Sequence, residues 1–172
     1  FVDYWQDKNG YVQYSHRTKN GIFLFLDTTK EGSDVHEGQM CNLRLDWLKE
    51  ALISAADQPT YIFMHHPPFD IGVHYVDKIK LVEAEGFGET LKYGQNIKHV
   101  FFGHVHRMTS VFWKGIPFTS VPSLNHQIPL VSQSINSEFC DEPPAYGVAT
   151  IEGEQLTVHF NTFMQRNELR QS

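Results

Sequence analysis

Apolar residues along this chain gather into short uninterrupted runs, set apart by polar stretches that carry glycine or proline. Gly21 opens Ile22-Phe23-Leu24-Phe25-Leu26, Tyr61-Ile62-Phe63-Met64 leads into His65-His66-Pro67-Pro68, and Val100-Phe101-Phe102 leads into Gly103-His104-Val105-His106. Runs of this length without polar alternation predict strands buried on both faces, over 22–28, 60–65 and 98–103. Pro67 and Pro68 stop the second, because proline cannot donate to a ladder. Between the first two runs Leu45, Leu48, Ala51 and Leu52 recur at helical spacing, which predicts a helix from an Asn42 N-cap to about Ala55. A second helix is expected over 77–93, weakened by Gly86 and Gly88. A short strand at 12–16, a hairpin of 109–113 and 116–121 about Lys114-Gly115, and a closing hairpin of 146–151 and 155–160 about Glu152-Gly153-Glu154 complete the set. Residues 29–39 and 122–144 read as loops, and the tail from Asn161 as exposed. Strand–helix alternation followed by hairpins predicts an α/β class: a mixed sheet with helices on at least one face, without internal repeat or domain boundary.

Both middle runs finish in histidine. On extended backbone His104 and His106 point to one side, separated by roughly 6.5–7 Å of chain. That spacing suits one ring on each of two neighbouring ions, or both rings on one ion. Gly103 before them lets backbone approach a metal closely. Neutral imidazole is the commonest protein ligand for borderline divalent metals, and the C-terminal ends of strands are where α/β sheets place their sites. A single histidine at a strand end is as a rule structural. His65, His104 and His106 come from two strand tips beside a proline stop, and packing alone does not explain the three together. His99, alternating with apolar neighbours, reads as structural, on a solvated or helix-covered face. His126 follows a strand without ligand spacing, and Asp70 and Asp77 read as solvated loop carboxylates.

The 172 residues amount to one domain's length, and a composition 41% hydrophobic and 20% charged is that of a folded globular protein. No apolar stretch reaches the roughly 18–20 residues of a membrane span, so no membrane partner is expected. A net charge of −6 argues against a nucleic-acid polymer but leaves room for a phosphate substrate, since bound dications reverse the local field. Two cysteines, Cys41 and Cys140, are too few for a disulfide framework; they read as free thiols and favour a cytoplasmic location.

Three segments together resemble the calcineurin-like metallophosphoesterases, in particular the bacterial branch of class III cyclic-nucleotide phosphodiesterases and glycerophosphodiesterases. Gly38-Gln39 through Leu45-Asp46-Trp47-Leu48-Lys49-Glu50-Ala51-Leu52 is similar to the branch's pre-site helix. Met64-His65-His66-Pro67-Pro68-Phe69 resembles its histidine–proline block, and Phe102-Gly103-His104-Val105-His106 its Gly-His-X-His block. The likeness spans most of residues 20–125, and the last two blocks are specific in combination. It implies part of a four-layer α/β/β/α sandwich with two metals at the sheet ends, His65 and His104 on the second metal and His106 on the first. His65 is preferred to His66 because the family ligand stands two residues before the proline, and because neighbouring strand residues point oppositely. His66 is then the residue at the substrate rim, or a packing residue. The implied cofactors are two divalent ions, Mn, Fe, Zn or Co, among which such sites do not choose sharply. The implied reaction is metal-dependent hydrolysis of a small phosphodiester, a cyclic nucleotide or a glycerophosphodiester.

The family's Asp-X-His, Gly-Asp and Gly-Asn-His blocks are not found in the sequence. They belong to the family's N-terminal half, so residues 1–172 are expected to form a single domain that is the C-terminal portion of the phosphoesterase domain. Two dications bring four positive charges, and three neutral imidazoles bring none to balance them. No bridging carboxylate is there to hold ions roughly 3.5–4 Å apart. The chain alone is therefore expected to hold one ion loosely and turn over little, and no residue is assigned as general acid. Two other readings stand beside this one. A half-sandwich with an exposed apolar sheet face makes a non-catalytic assembly module, pairing with a copy of itself or with the missing half. Three histidines also match a mononuclear zinc hydrolase with the ligand count of carbonic anhydrase.

Overall fold

Six short strands make one sheet in the computed structural model, which describes residues 5–32, 36–130 and 138–163. They are β1 (Tyr14–Thr18), β2 (Gly21–Phe25), β3 (Thr60–Met64), β4 (Ile97–Phe102), β5 (Thr109–Trp113) and β6 (Ile116–Ser120), ordered β1-β2-β3-β4-β6-β5. The inner four run parallel, and β1 and β5 close the edges antiparallel. Parallel neighbours need long crossovers. Helix α1 (Asn42–Ala55) supplies the first, between β2 and β3; α2 (His74–Lys78) and α3 (Ala84–Leu91) supply the next, between β3 and β4. The strands β7 (Ala145–Glu152) and β8 (Gln155–Thr162) form a separate antiparallel pair.

Strand period two sorts the apolar runs onto two unlike faces. Leu24, Ile62 and Val100 stand in register and are fully buried, in one core cluster with Leu48 and Leu52 of α1 and Phe87 and Leu91 of α3. On the opposite face Tyr14, Phe25, Phe63 and Phe101 stack across four strands at 4.6, 4.9 and 4.9 Å between ring centroids. Phe25, Phe63 and Phe101 are only half-buried. The expectation of strands buried on both faces is thus corrected: one face is helix-covered and the other is a partly open aromatic ladder. His99 lies on that ladder face rather than under a helix or in solvent. It is buried against Phe101, with Nε2 2.9 Å from Thr119 Oγ1.

Three local expectations shift. The residue before α1, in extended conformation, is Cys41, so Asn42 is the first helical residue and not the cap. Residues 77–93 do not form one helix. The Leu81 amide donates to Pro67 O at 2.9 Å and the Val82 amide to Gly38 O at 3.0 Å, so these groups serve the tertiary structure and break the helix between α2 and α3. Gly86 and Gly88 are not the break; both lie inside α3, where a Cβ on Gly88 would run into Lys114 and Trp113. The hairpins stand as expected. Lys114 and Gly115 both have positive φ, 48° and 84°, as a two-residue turn between twisted strands requires. The polar stretch within the expected 122–144 loop falls partly in 131–137, and the tail partly beyond 163, outside the described residues. No helix among the described residues is long and apolar enough to cross a membrane.

Candidate metal centre

Strand β3 ends at Met64, so His65 and His66 lie beyond the ladder and the alternation rule no longer separates them. Their rings come together at 4.8 Å, nearly perpendicular. The argument that two adjacent histidines must point apart is therefore corrected: the chain leaves extended geometry one residue earlier than that argument needs. A similar change occurs after β4. His104 and His106 have φ of 69° and 50°, in the left-handed region that non-glycine residues rarely occupy. The two do not ride on extended backbone; they flank a turn anchored by Val105, which is fully buried and whose amide donates to Gly103 O at 2.8 Å. Such outliers cost about 1–3 kcal/mol each and persist where surrounding structure enforces them, commonly at sites.

The turn brings His104 to the other pair. Its ring centroid is 5.3 Å from that of His65 and 4.5 Å from that of His66. One nitrogen from each of the three can be chosen so that all lie within 4.8 Å of one another. His106 stands outside this trio. Its Nδ1 donates to the His126 carbonyl at 2.9 Å, which leaves Nε2 as the lone-pair nitrogen. All four imidazoles line one open cavity of about 630 Å³, together with His36, His126, Tyr75 and Phe139. The room His65 needs explains Gly103: a Cβ there would come within 2.9 Å of His65 Nδ1. The glycine is thus required by the imidazole of His65.

His66 is the buried member, held by Thr28, whose Oγ1 lies 2.8 Å from Nδ1 and accepts the His66 amide at 3.3 Å. Gly38 packs against the same ring. An added Cβ would sit within 2.8 Å of Nδ1 and nearer still to Cβ and Cγ. Gly38 cannot retreat easily, because its amide and carbonyl bond Lys80 O and the Val82 amide at 3.2 and 3.0 Å. Gly38→Ala is expected to lower stability by about 1–3 kcal/mol. Urea unfolding checks this as a reduced midpoint at unchanged slope.

Electrostatics keeps these rings neutral. Burial, followed by repulsion from His66, His65 and His106, pushes His104 down to about 3. Burial and then His65 push His66 down to about 4, against the backbone at His36 and Thr28. His65 is lowered by burial and by His106; His106 is lowered by burial, with the His126 carbonyl pulling the other way. At neutral pH the cluster therefore presents lone pairs and no positive charge. His104 Nε2 is buried without a hydrogen-bond partner, a defect worth about 1–3 kcal/mol. A divalent cation would satisfy that nitrogen, and the donor set fits a borderline metal.

Carboxylates are engaged elsewhere. Asp27 receives the buried Arg44 side chain and the Thr29 amide. Asp77 accepts the Ile71 and Gly72 amides at 2.7 and 3.1 Å, and Asp70 pairs with Lys80, so both are structural. Glu37 lines the cavity but pairs with Lys30. Sequence reasoning did not single out Thr28, Gly38 or the His126 carbonyl as supports. A polar residue closing an apolar strand run, as Thr28 does, is the one signal that pointed there.

No family model matches the chain. It is 36% identical over 162 residues to a probable cyclic nucleotide phosphodiesterase of Rhodopseudomonas palustris, covering 92% of this chain and 59% of that protein. It is 28% identical over 163 residues to a probable glycerophosphodiester phosphodiesterase of Arcobacter nitrofigilis, again 92% and 59%. A 3',5'-cyclic adenosine monophosphate phosphodiesterase of Escherichia coli is 28% identical over 100 residues, 58% of this chain and 36% of that one. The chain thus spans about three-fifths of the length of the first two relatives. Among solved structures, a dimetal phosphatase from Danio rerio has the same fold, with TM-score 0.66 over 90% of this chain and 59% of that one at 16% identity. Relatives by sequence and neighbour by fold agree, and both are consistent with the calcineurin-like metallophosphoesterase family that the histidine blocks resemble.

Proposed function

We propose that this chain carries part of the metal centre of a phosphodiesterase acting on a small phosphodiester, a cyclic nucleotide or a glycerophosphodiester. The observation that carries the reading is the convergence of His65, His66 and His104 on one cavity, with His104 Nε2 buried and unpartnered. In this reading His65 and His104 hold one divalent ion and His106 contributes to a second; Mn, Fe, Zn and Co all suit the donors. His66 lines the same cavity and, of the four clustered imidazoles, is the one left to face substrate, its ring fixed by Thr28. A bound divalent ion supplies Lewis-acid stabilisation of charge developing on phosphoryl oxygens. The residues fix donor geometry: Thr28 and Gly38 hold His66, Gly103 admits His65, and the His126 carbonyl sets the tautomer of His106.

The remaining ligands and the proton donor are assigned to sequence outside these residues, which makes residues 1–172 the C-terminal portion of the domain. The half-buried ladder of Phe25, Phe63 and Phe101, and the length of the relatives, support this. A cytoplasmic location is the companion reading from the two free cysteines.

Hydrolysis of 3',5'-cyclic AMP, a glycerophosphodiester and a generic aryl phosphodiester in the presence of Mn tests the proposal. The full-length gene product is expected to be active, and His104→Ala to lower its kcat by a hundredfold or more, while residues 1–172 alone turn over little. Inactivity of the full-length product on all three substrates contradicts the function. Full activity of the isolated chain contradicts its reading as part of a domain.

A further inference from the structure

Arg44 carries a full charge into the core. It heads the buried stripe of α1, Arg44, Leu48, Leu52 and Ala55, where helical spacing otherwise delivers apolar side chains, and it is 2% exposed. A guanidinium is costly to bury, and apolar residues of similar volume commonly replace such a group without loss of stability. Packing alone does not account for it. What Arg44 holds is the turn that leaves β2. Nη1 donates to Asp27 O at 3.1 Å and to Thr29 O at 2.8 Å, the carbonyls on either side of Thr28. The Asp27 carboxylate, 3.4 Å from the same Nη1, accepts the Thr29 amide at 2.9 Å. The Tyr11 ring lies over the guanidinium at 4.6 Å, and the Gln39 amide donates to Thr28 O at 2.9 Å. Thr28 is left little backbone freedom, and its hydroxyl serves His66, with Oγ1 2.8 Å from Nδ1 and accepting the His66 amide at 3.3 Å. Thr29 and His66 both line the cavity. One line of contacts thus runs from the core stripe of α1 to an imidazole of the site.

We propose that Arg44 is a positioning residue of the site: it fixes residues 27–29 so that Thr28 holds the His66 imidazole in the orientation from which it meets substrate. The role rests on the reading of His66 as the substrate-facing ring. Arg44 itself touches neither metal ligands nor cavity among the described contacts, and it acts through Thr28.

The full-length gene product, isotopically labelled at histidine nitrogen, tests this. Ring correlations of His66, assigned by their disappearance in His66→Gln, are expected to shift in Arg44→Met and in Thr28→Val. Leu52→Ala, a cavity-forming change on the same buried stripe, is expected to lower stability but leave those correlations in place. Arg44→Met and Thr28→Val are each expected to lower kcat/KM by about tenfold through a misplaced ring. Because one acts through the other, the double variant should also lose about tenfold, not about a hundredfold. Arg44→Lys, which keeps the charge and shortens the reach, carries the same readouts if Arg44→Met does not fold. His66 correlations unmoved by the Arg44 variants, or losses that multiply in the double variant, would overturn the proposal. The ring signals need no turnover, so an inactive full-length product would contradict the proposed function and leave the signals to decide the role of Arg44.

Discussion

Replacing His104 with alanine is expected to weaken divalent-metal binding by about a hundredfold. Structural zinc sites bind with about 10–16 kcal/mol shared over four donors, so one donor is worth about 3 kcal/mol, which is two orders of magnitude in affinity. The metal-free fold should lose much less. Removing the imbalance at His104 Nε2 offsets part of the packing lost with the ring, because that nitrogen is buried without a partner. Calorimetric titration with Zn or Mn measures the first effect and urea unfolding of the metal-free protein the second. His99→Gln, on the aromatic face and outside the cavity, is the control that leaves affinity unchanged. Equal metal affinity in wild-type and His104→Ala protein would remove His104 from the ligand set.

Acid is expected to destabilise the metal-free chain progressively as pH falls from 6.5 towards 4. His99 is depressed by burial from 6.5 to about 4, and His66 likewise to about 4, with His104 lower still. Below pH 6.5 the unfolded chain takes up protons that these folded imidazoles refuse, so stability is full above that pH and falls towards pH 4. For His99 alone the loss across the window is about 3 kcal/mol, a large share of a typical domain's 5–15 kcal/mol. The cavity histidines act in the same direction. Urea unfolding at intervals from pH 7.5 to 4 should show a steep decline, and His99→Gln should remove about one proton's worth of slope. A flat profile down to pH 4.5 contradicts the buried, neutral state of these rings. Metal binding should deepen the pH dependence, because cation and proton compete for the same lone pairs.

The elements themselves were largely legible. Apolar runs at 22–26, 61–64 and 100–102 became β2, β3 and β4, and Lys114-Gly115 became a two-residue turn, because periodicity and turn chemistry are local properties. The break after α2 was not, since it depends on Leu81 and Val82 donating to Pro67 and Gly38, partners far away in sequence. The histidines were found as residue types but not as geometry. Treating His65-His66 as extended strand gave the wrong directions, and treating His104-Val105-His106 so gave the wrong backbone though both rings do face one cavity, because both segments leave the strand at its last ladder residue and the second turns through positive φ. Thr28 and Gly38 drew no ligand argument because nothing in their types binds a metal. Their role appears only where they press on the ring of His66.

That ring cluster is best interrogated by locating a cation directly. Crystals of the chain grown with zinc and measured across the zinc absorption edge should show an anomalous peak about 2.0–2.1 Å from an imidazole nitrogen of His104 and of at least one neighbour, His65 or His66. A saturated protein whose only anomalous peaks lie away from that cavity would contradict the assignment of a metal centre.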